Sequence, residues 1–151
     1  MPDVISNSSC LIALDNIGML SILKELYGKI FISEEVFGEF GKPVENWVEV
    51  KQVRDQNYVK ILNNFIDLGE SGTIALSFEF KDGLMILDDL KARKVAKKLK
   101  LNFTGLFGVI LKAKQKRIIG SVRDVLRKLK SVKFRISEQM EKEILRLAAE
   151  V

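Results

Sequence analysis

The 151-residue chain has no histidine and a single cysteine, Cys10. These two shortages exclude intrachain disulfides, zinc clusters, Ser-His triads and Cys-His pairs. Any catalysis must therefore come from carboxylates, hydroxyls, lysines, arginines or a metal. Long apolar runs are also missing: the stretch Leu106 to Leu111 is among the longest, far short of the ~18 residues a membrane span needs. The opening MPDVIS lacks the basic start and apolar segment of a signal peptide, which predicts a cytoplasmic protein with no membrane partner. Internal repeats and low-complexity tracts are absent as well. Cys10, between Ser9 and Leu11, reads as a small buried hydrophobe.

What is present is ordinary in amount and uneven in placement. A hydrophobic content of 47% and a charged content of 30% fit a soluble globular protein. The length predicts one domain, residues 1–151. The net charge of +5 hides an asymmetry: Lys91 to Arg135 holds sixteen Lys and Arg against the one acid Asp124, a local charge of +15, and the remainder carries −10. A half that basic beside an acidic half predicts a polyanion along one face.

The most informative stretch runs from Leu68 to Lys98, LGESGTIALSFEFKDGLMILDDLKARKVAKK. A Gly-Glu-Ser-Gly turn opens a predicted helix with Ile74, Ala75 and Phe78 on one apolar stripe and Glu70 on the same inward face. The short apolar run Leu84 to Leu87 reads as a buried parallel strand, ended by Asp88 and Asp89. Elsewhere Val4-Ile5-Ser6, Ile30-Phe31-Ile32, Trp47 to Val50 (an edge) and Leu101 to Thr104 read as strands. Ser33 caps a short helix on which Glu39 lies at the inward edge beside Val36 and Phe40. The alternating segment Val132 to Ile136 reads as a further strand before a helix capped by Ser137.

Strands alternating with helices predict an α/β fold with a central parallel sheet and helices on both faces. Right-handed crossovers gather the carboxyl ends of such strands on one edge, where open α/β sheets place their ligand sites. That edge collects Asn7, Asp88, Asp89 and Thr104, with Glu39 and Glu70 on neighbouring helices. A carboxylate cluster there points to a divalent cation, since like charges cost stability when nothing offsets them.

Five segments together, VISNSSCLIAL, FISEEVFGEF, LGESGTIALS, MILDDLKARKVAKKL and TGLFGVILKAK, make the chain resemble the PIN-domain nucleases, and within them the subgroup related to VapC-type toxins. The resemblance covers nearly the whole chain. It implies a PIN-like three-layer α/β/α sandwich with a central parallel sheet, and three or four acids that hold Mg²⁺ or Mn²⁺ for RNA hydrolysis. Carried over residue by residue, the catalytic acids are Glu39, Glu70 and Asp88, and the metal ligands are these three with Asp89 and Asn7. Asn7 departs from the family pattern, which has aspartate in a D-S/T-S motif where this chain has Asn7-Ser8-Ser9. Ser9 is expected to support a phosphate or a water at the metal, and Arg93 and Lys94 to meet substrate phosphates. The resemblance makes RNA the expected partner and brings with it an antitoxin protein and a homodimer as further partner readings.

Two other classes fit the same residues. A non-catalytic member, its metal site weakened by Asn7, would use the basic face to bind RNA or a protein. A phosphatase-like α/β protein would use the Asp88-Asp89 pair, though the chain lacks a glycine-rich phosphate cradle.

Overall fold

The computed structural model describes residues 2–150. In chain order its elements are β1 (Asp3–Ser6), α1 (Ser8–Asn16), α2 (Ser21–Tyr27), β2 (Ile30–Ser33), α3 (Glu34–Phe40), β3 (Val48–Lys51), α4 (Gln56–Leu62), α5 (Leu68–Ser77), β4 (Gly83–Ile86), α6 (Leu90–Lys98), β5 (Asn102–Thr104), α7 (Leu106–Gln115), α8 (Val122–Ser131) and α9 (Glu138–Leu147). The five strands form one sheet in the order β3-β2-β1-β4-β5, and every neighbouring pair is parallel.

Side chains alternate across the sheet, so it feeds two apolar layers. Val4, Ile30, Ile32 and Ile86 face one layer, filled by Leu14, Leu23, Val109, Leu126 and Ile144 from α1, α2, α7, α8 and α9. Ile5 and Met85, with Leu87 just past β4, face the other, where Val59, Ile74, Leu76, Ala92 and Ala96 arrive from α4, α5 and α6. The architecture is the expected α/β/α sandwich.

The strand order contains one reversal. The chain steps from β1 outward to β2 and β3, then returns to the other side of β1 for β4 and β5. The switch point therefore lies between β1 and β4, where ligands of open α/β sheets bind. Register brings Ser6 beside Ile86 and Ile86 beside Thr104. The first residues past those strands, Asn7 and Asp88, consequently meet at the crevice.

Two sequence expectations fail locally. The segment from Val132 to Ile136 is a turn and irregular chain, not a strand. Its alternation arises because Phe134 and Ile136 pack on the core while their neighbours point outward, and Lys133 takes the left-handed conformation at φ 66° that closes α8. Phe78 is half exposed, not on the inward stripe of α5, because it is the residue that ends that helix; there it packs edge-on against Tyr58.

Candidate metal centre

Glu70 is the buried member of the acid group, only 7% exposed. It lies in the first turn of α5, whose Gly69 and Gly72 bring α3 against the α5 backbone. A Cβ on Gly69 would fall onto the Glu39 carboxylate, and one on Gly72 would come within 2.7 Å of Ser33 Oγ and Glu35 Oε1. The Gly-Glu-Ser-Gly turn is thus a helix opening stripped of side chains on the face that receives acids.

Each acid around Glu70 is fixed by the protein backbone or a hydroxyl. Glu39 accepts the Ser8 hydroxyl at 2.6 Å on Oε1 and the Gly69 N–H at 3.1 Å on Oε2. Asp88 Oδ1 accepts the Leu106 N–H at 3.0 Å, tying the end of β4 to the start of α7. Asp89 caps α6, with Oδ2 accepting the Ala92 N–H at 2.9 Å. Arg93 donates Nε–H to the Leu87 carbonyl at 2.8 Å and places its guanidinium 3.7 Å from Asp88.

Burial and the negative charges of Asp89, Asp88 and Glu39 push the Glu70 carboxyl up to about 7, against a slight opposing pull from the Asn7 amide. Its Oε2 is buried without a hydrogen-bond partner among the described residues. A carboxyl in that position needs a proton or a cation to offset its charge. Below the site, burial and the Asp88 charge push the Cys10 thiol far above its ordinary range, which leaves it an inert core residue.

Asn7 differs from its expectation as a ligand. It is fully buried and is the N-cap of α1, its Oδ1 accepting the Cys10 N–H at 3.1 Å. The cap fixes which end of the amide points where, so the Nδ2 group is turned away from the helix, close enough to Glu70 to act on it but without a partner of normal hydrogen-bond length. An amide nitrogen offers N–H donors and no lone pair to a metal. The oxygen is free for a metal only if it shares itself with the cap.

Ser9 also lies elsewhere: it is exposed and lines a cleft with Ile12, Asn16 and Phe134. Its neighbour Ser8 is the serine that reaches the acids, a role the sequence reading missed. The available signal was position, because Ser8 is the first residue of α1 and Ser9 the second, about 100° further round. Lys94 is exposed on α6 and makes no hydrogen bond or ion pair among the described residues, whereas Arg93 is anchored beside Asp88.

Among the described residues, no three of these side chains converge closely enough to form a ready-made metal cage. The donors nevertheless have the chemistry of a hard-cation site: carboxylate oxygens from Glu39, Glu70, Asp88 and Asp89, the innermost of them unpaired. They fit a small divalent ion, and Asn7 could join them only through the oxygen that already caps α1. Among the described residues no helix is long and apolar enough to cross a membrane.

No curated protein and no solved structure matches the chain at a significant level. A family model described as a PIN domain does, over residues 3–150, and PIN domains are nuclease folds that generally use divalent metal ions. The parallel sheet, the switch-point acids and this match agree, and the chain belongs to the PIN-domain family.

Proposed function

We propose that the chain is a Mg²⁺- or Mn²⁺-dependent endoribonuclease. The observation that carries the reading is Glu70, a buried carboxyl pushed to about 7 among three other acids with an unpaired oxygen. Glu39, Glu70, Asp88 and Asp89 would hold the ion. When bound, such an ion makes a water nucleophilic near neutral pH and offsets the charge of a phosphodiester, without any histidine.

The remaining residues orient the acids and the strand. Ser8 and the Gly69 N–H hold Glu39, and the Leu106 N–H holds Asp88, so neither acid must be ordered when substrate arrives. Arg93, anchored at the rim by the Leu87 carbonyl, would meet a phosphate oxygen. The basic residues of α6, α7 and α8 supply the wider electrostatic attraction for RNA. Through the resemblance to VapC-type toxins the reading extends to a toxin restrained by an antitoxin protein, and to a homodimer.

A second reading is favoured by Asn7. With a donor where the family has an acid, the domain would bind RNA or a protein partner without cutting. One assay separates the two: cleavage of mixed RNA in Mn²⁺ by the wild type, Asp88→Asn and Asn7→Asp. The nuclease reading expects cutting that chelator stops and Asp88→Asn lowers by about 100-fold or more, the equivalent of several kcal/mol of lost charge stabilisation. It also expects Asn7→Asp to cut faster. Cutting that survives chelator and Asp88→Asn would overturn it, and no cutting except by Asn7→Asp would establish the second reading.

A further inference from the structure

Beyond Asp88 the carboxyl edge of the sheet continues into an open groove of about 330 Å³. The first turn of α7 forms its floor, and two glycines clear it. A Cβ on Gly105 would fall onto the Arg93 guanidinium and within 2.6 Å of Asp88 Oδ1, and one on Gly108 would fall onto Thr104 Oγ1. Phe103, Phe107 and Met140 line its walls, the last brought from α9.

Two of these groups, Phe107 and Arg93, are held in place before any ligand arrives. Phe107 is braced edge-on by Phe134, with ring centroids 6.1 Å apart. Arg93 lies over the Phe103 ring at 5.3 Å while its Nε–H is tied to Leu87. The Thr104 hydroxyl makes no hydrogen bond among the described residues. A planar cation, two aromatic rings, a thioether and a free hydroxyl around one slot suit a flat heterocycle with polar edges. At the low end of the ~300–1,000 Å³ typical of small-molecule sites, the slot has room for one nucleoside.

We propose that this groove is a nucleobase subsite, which takes an unpaired base of the strand whose phosphate lies at the acid centre. The position of that phosphate rests on the nuclease reading above; the stacking chemistry does not. Asp88 and Arg93 line both places, so a strand need bend only once at the phosphate between them. The larger apolar cleft walled by Tyr58, Phe78 and Glu79 has no such continuity with the acids. Phe107, Thr104 and Met140 thereby become the residues that set base preference.

The test uses the full chain and a short oligoribonucleotide carrying 2-aminopurine, whose fluorescence is quenched on stacking, titrated in chelator so that binding is read without cleavage. The expected result is quenching on binding, weakened about tenfold by Phe107→Ala and about threefold by Met140→Ala. Gly108→Leu should abolish it by plugging the floor, and Phe78→Ala should leave it unchanged. Met140 is 47% exposed, so Met140→Ala decides the matter even where Phe107→Ala fails to fold. Wild-type quenching in all the groove variants, or none in the wild type, overturns the subsite. Parallel incubation with Mn²⁺ keeps the two readings apart. Cleavage with groove-insensitive binding rejects the subsite alone, and groove-sensitive binding without cleavage supports the subsite while rejecting the nuclease.

Discussion

Glu70 lies in the first turn of α5 and Glu150 sends its carboxylate to the first turn of α8, and the protein treats the two acids in opposite ways. Glu150 leaves α9 through a turn in which Ala149 adopts φ 59° and the Glu150 N–H returns to the Leu145 carbonyl at 2.9 Å. Its carboxylate then lands on the N-terminus of α8, accepting from the Val122 and Arg123 N–H groups, the Ser121 hydroxyl and the Lys114 ammonium. Burial alone would raise this carboxyl, but the Lys114 ammonium and the two backbone donors outweigh it and hold the group at about 2. Glu70 has no cation beside it, three other acids and the Asn7 amide are its polar surroundings, and it stands at about 7. The cation reading proposed above rests on this contrast between one carboxylate fully satisfied and another left buried at a topological switch point with an unpaired oxygen.

The contrast can be broken at the satisfied end, where a single substitution should cost the fold most. Glu150→Ala removes four donors' shared acceptor and should destabilise the protein by roughly 2–3 kcal/mol at neutral pH, read by urea unfolding. The same carboxylate fixes an acid-side dependence. Its folded pKa lies below the ordinary 4.5, so its contribution is complete above that pH and is lost as pH falls toward 2. The variant's unfolding curve should therefore converge on the wild type's in acid. A deficit that persists undiminished at pH 2 would show that the strap acts through packing instead of charge.

A smaller effect sharpens the other end. Ser8→Ala frees one oxygen of Glu39, and loss of such an outer hydrogen bond should weaken Mn²⁺ binding by about tenfold. Ser9→Ala, on an exposed position away from the acids, should leave it unchanged. Calorimetric titration of the two variants checks this, and equal losses would mean that the hydroxyl pair acts through the helix and not through Glu39.

Much of the architecture was legible because it rests on local pattern. The apolar runs at β1, β2 and β4, punctuated by Asn7, Ser33 and Asp88, specify strands that end in polar residues, and topology alone then gathers those ends. What was hidden were features set by tertiary contact. Four helices close on a bond from the residue after Lys100, Arg117, Lys133 and Ala149 back to the last turn, each of these residues left-handed where glycine is usual. With no glycine to mark the stop of α8, the alternation beyond it imitated a strand. The edge that collects the acids was read from topology and their roles from the resemblance, but neither could give the orientation of Asn7, because which end of an amide faces a site depends on the cap it serves. The Ser8 and Ser9 roles were exchanged for a related reason: only the rotation of α1 on α3 decides which hydroxyl meets Glu39. Gly69 looked like a turn residue, and its use as a clearance for Glu39, like that of Gly105 for Asp88 and Arg93, is visible only in three dimensions.

The most direct test of the account is the stability of the wild type and Glu70→Gln, with chelator and with excess Mn²⁺, at pH 5 and pH 8. Because the folded pKa of Glu70, about 7, lies above the ordinary 4.5, the folded state binds the extra proton between those values. Metal-free stability should therefore fall as pH rises through that window, by roughly 3 kcal/mol at most. Mn²⁺ at about 100 times its dissociation constant should return about 2.7 kcal/mol at pH 8 by binding only the folded state. Glu70→Gln should show neither the fall nor the recovery. A wild type whose stability is flat between pH 5 and pH 8 and indifferent to Mn²⁺ would contradict the claim that these acids are gathered for a cation.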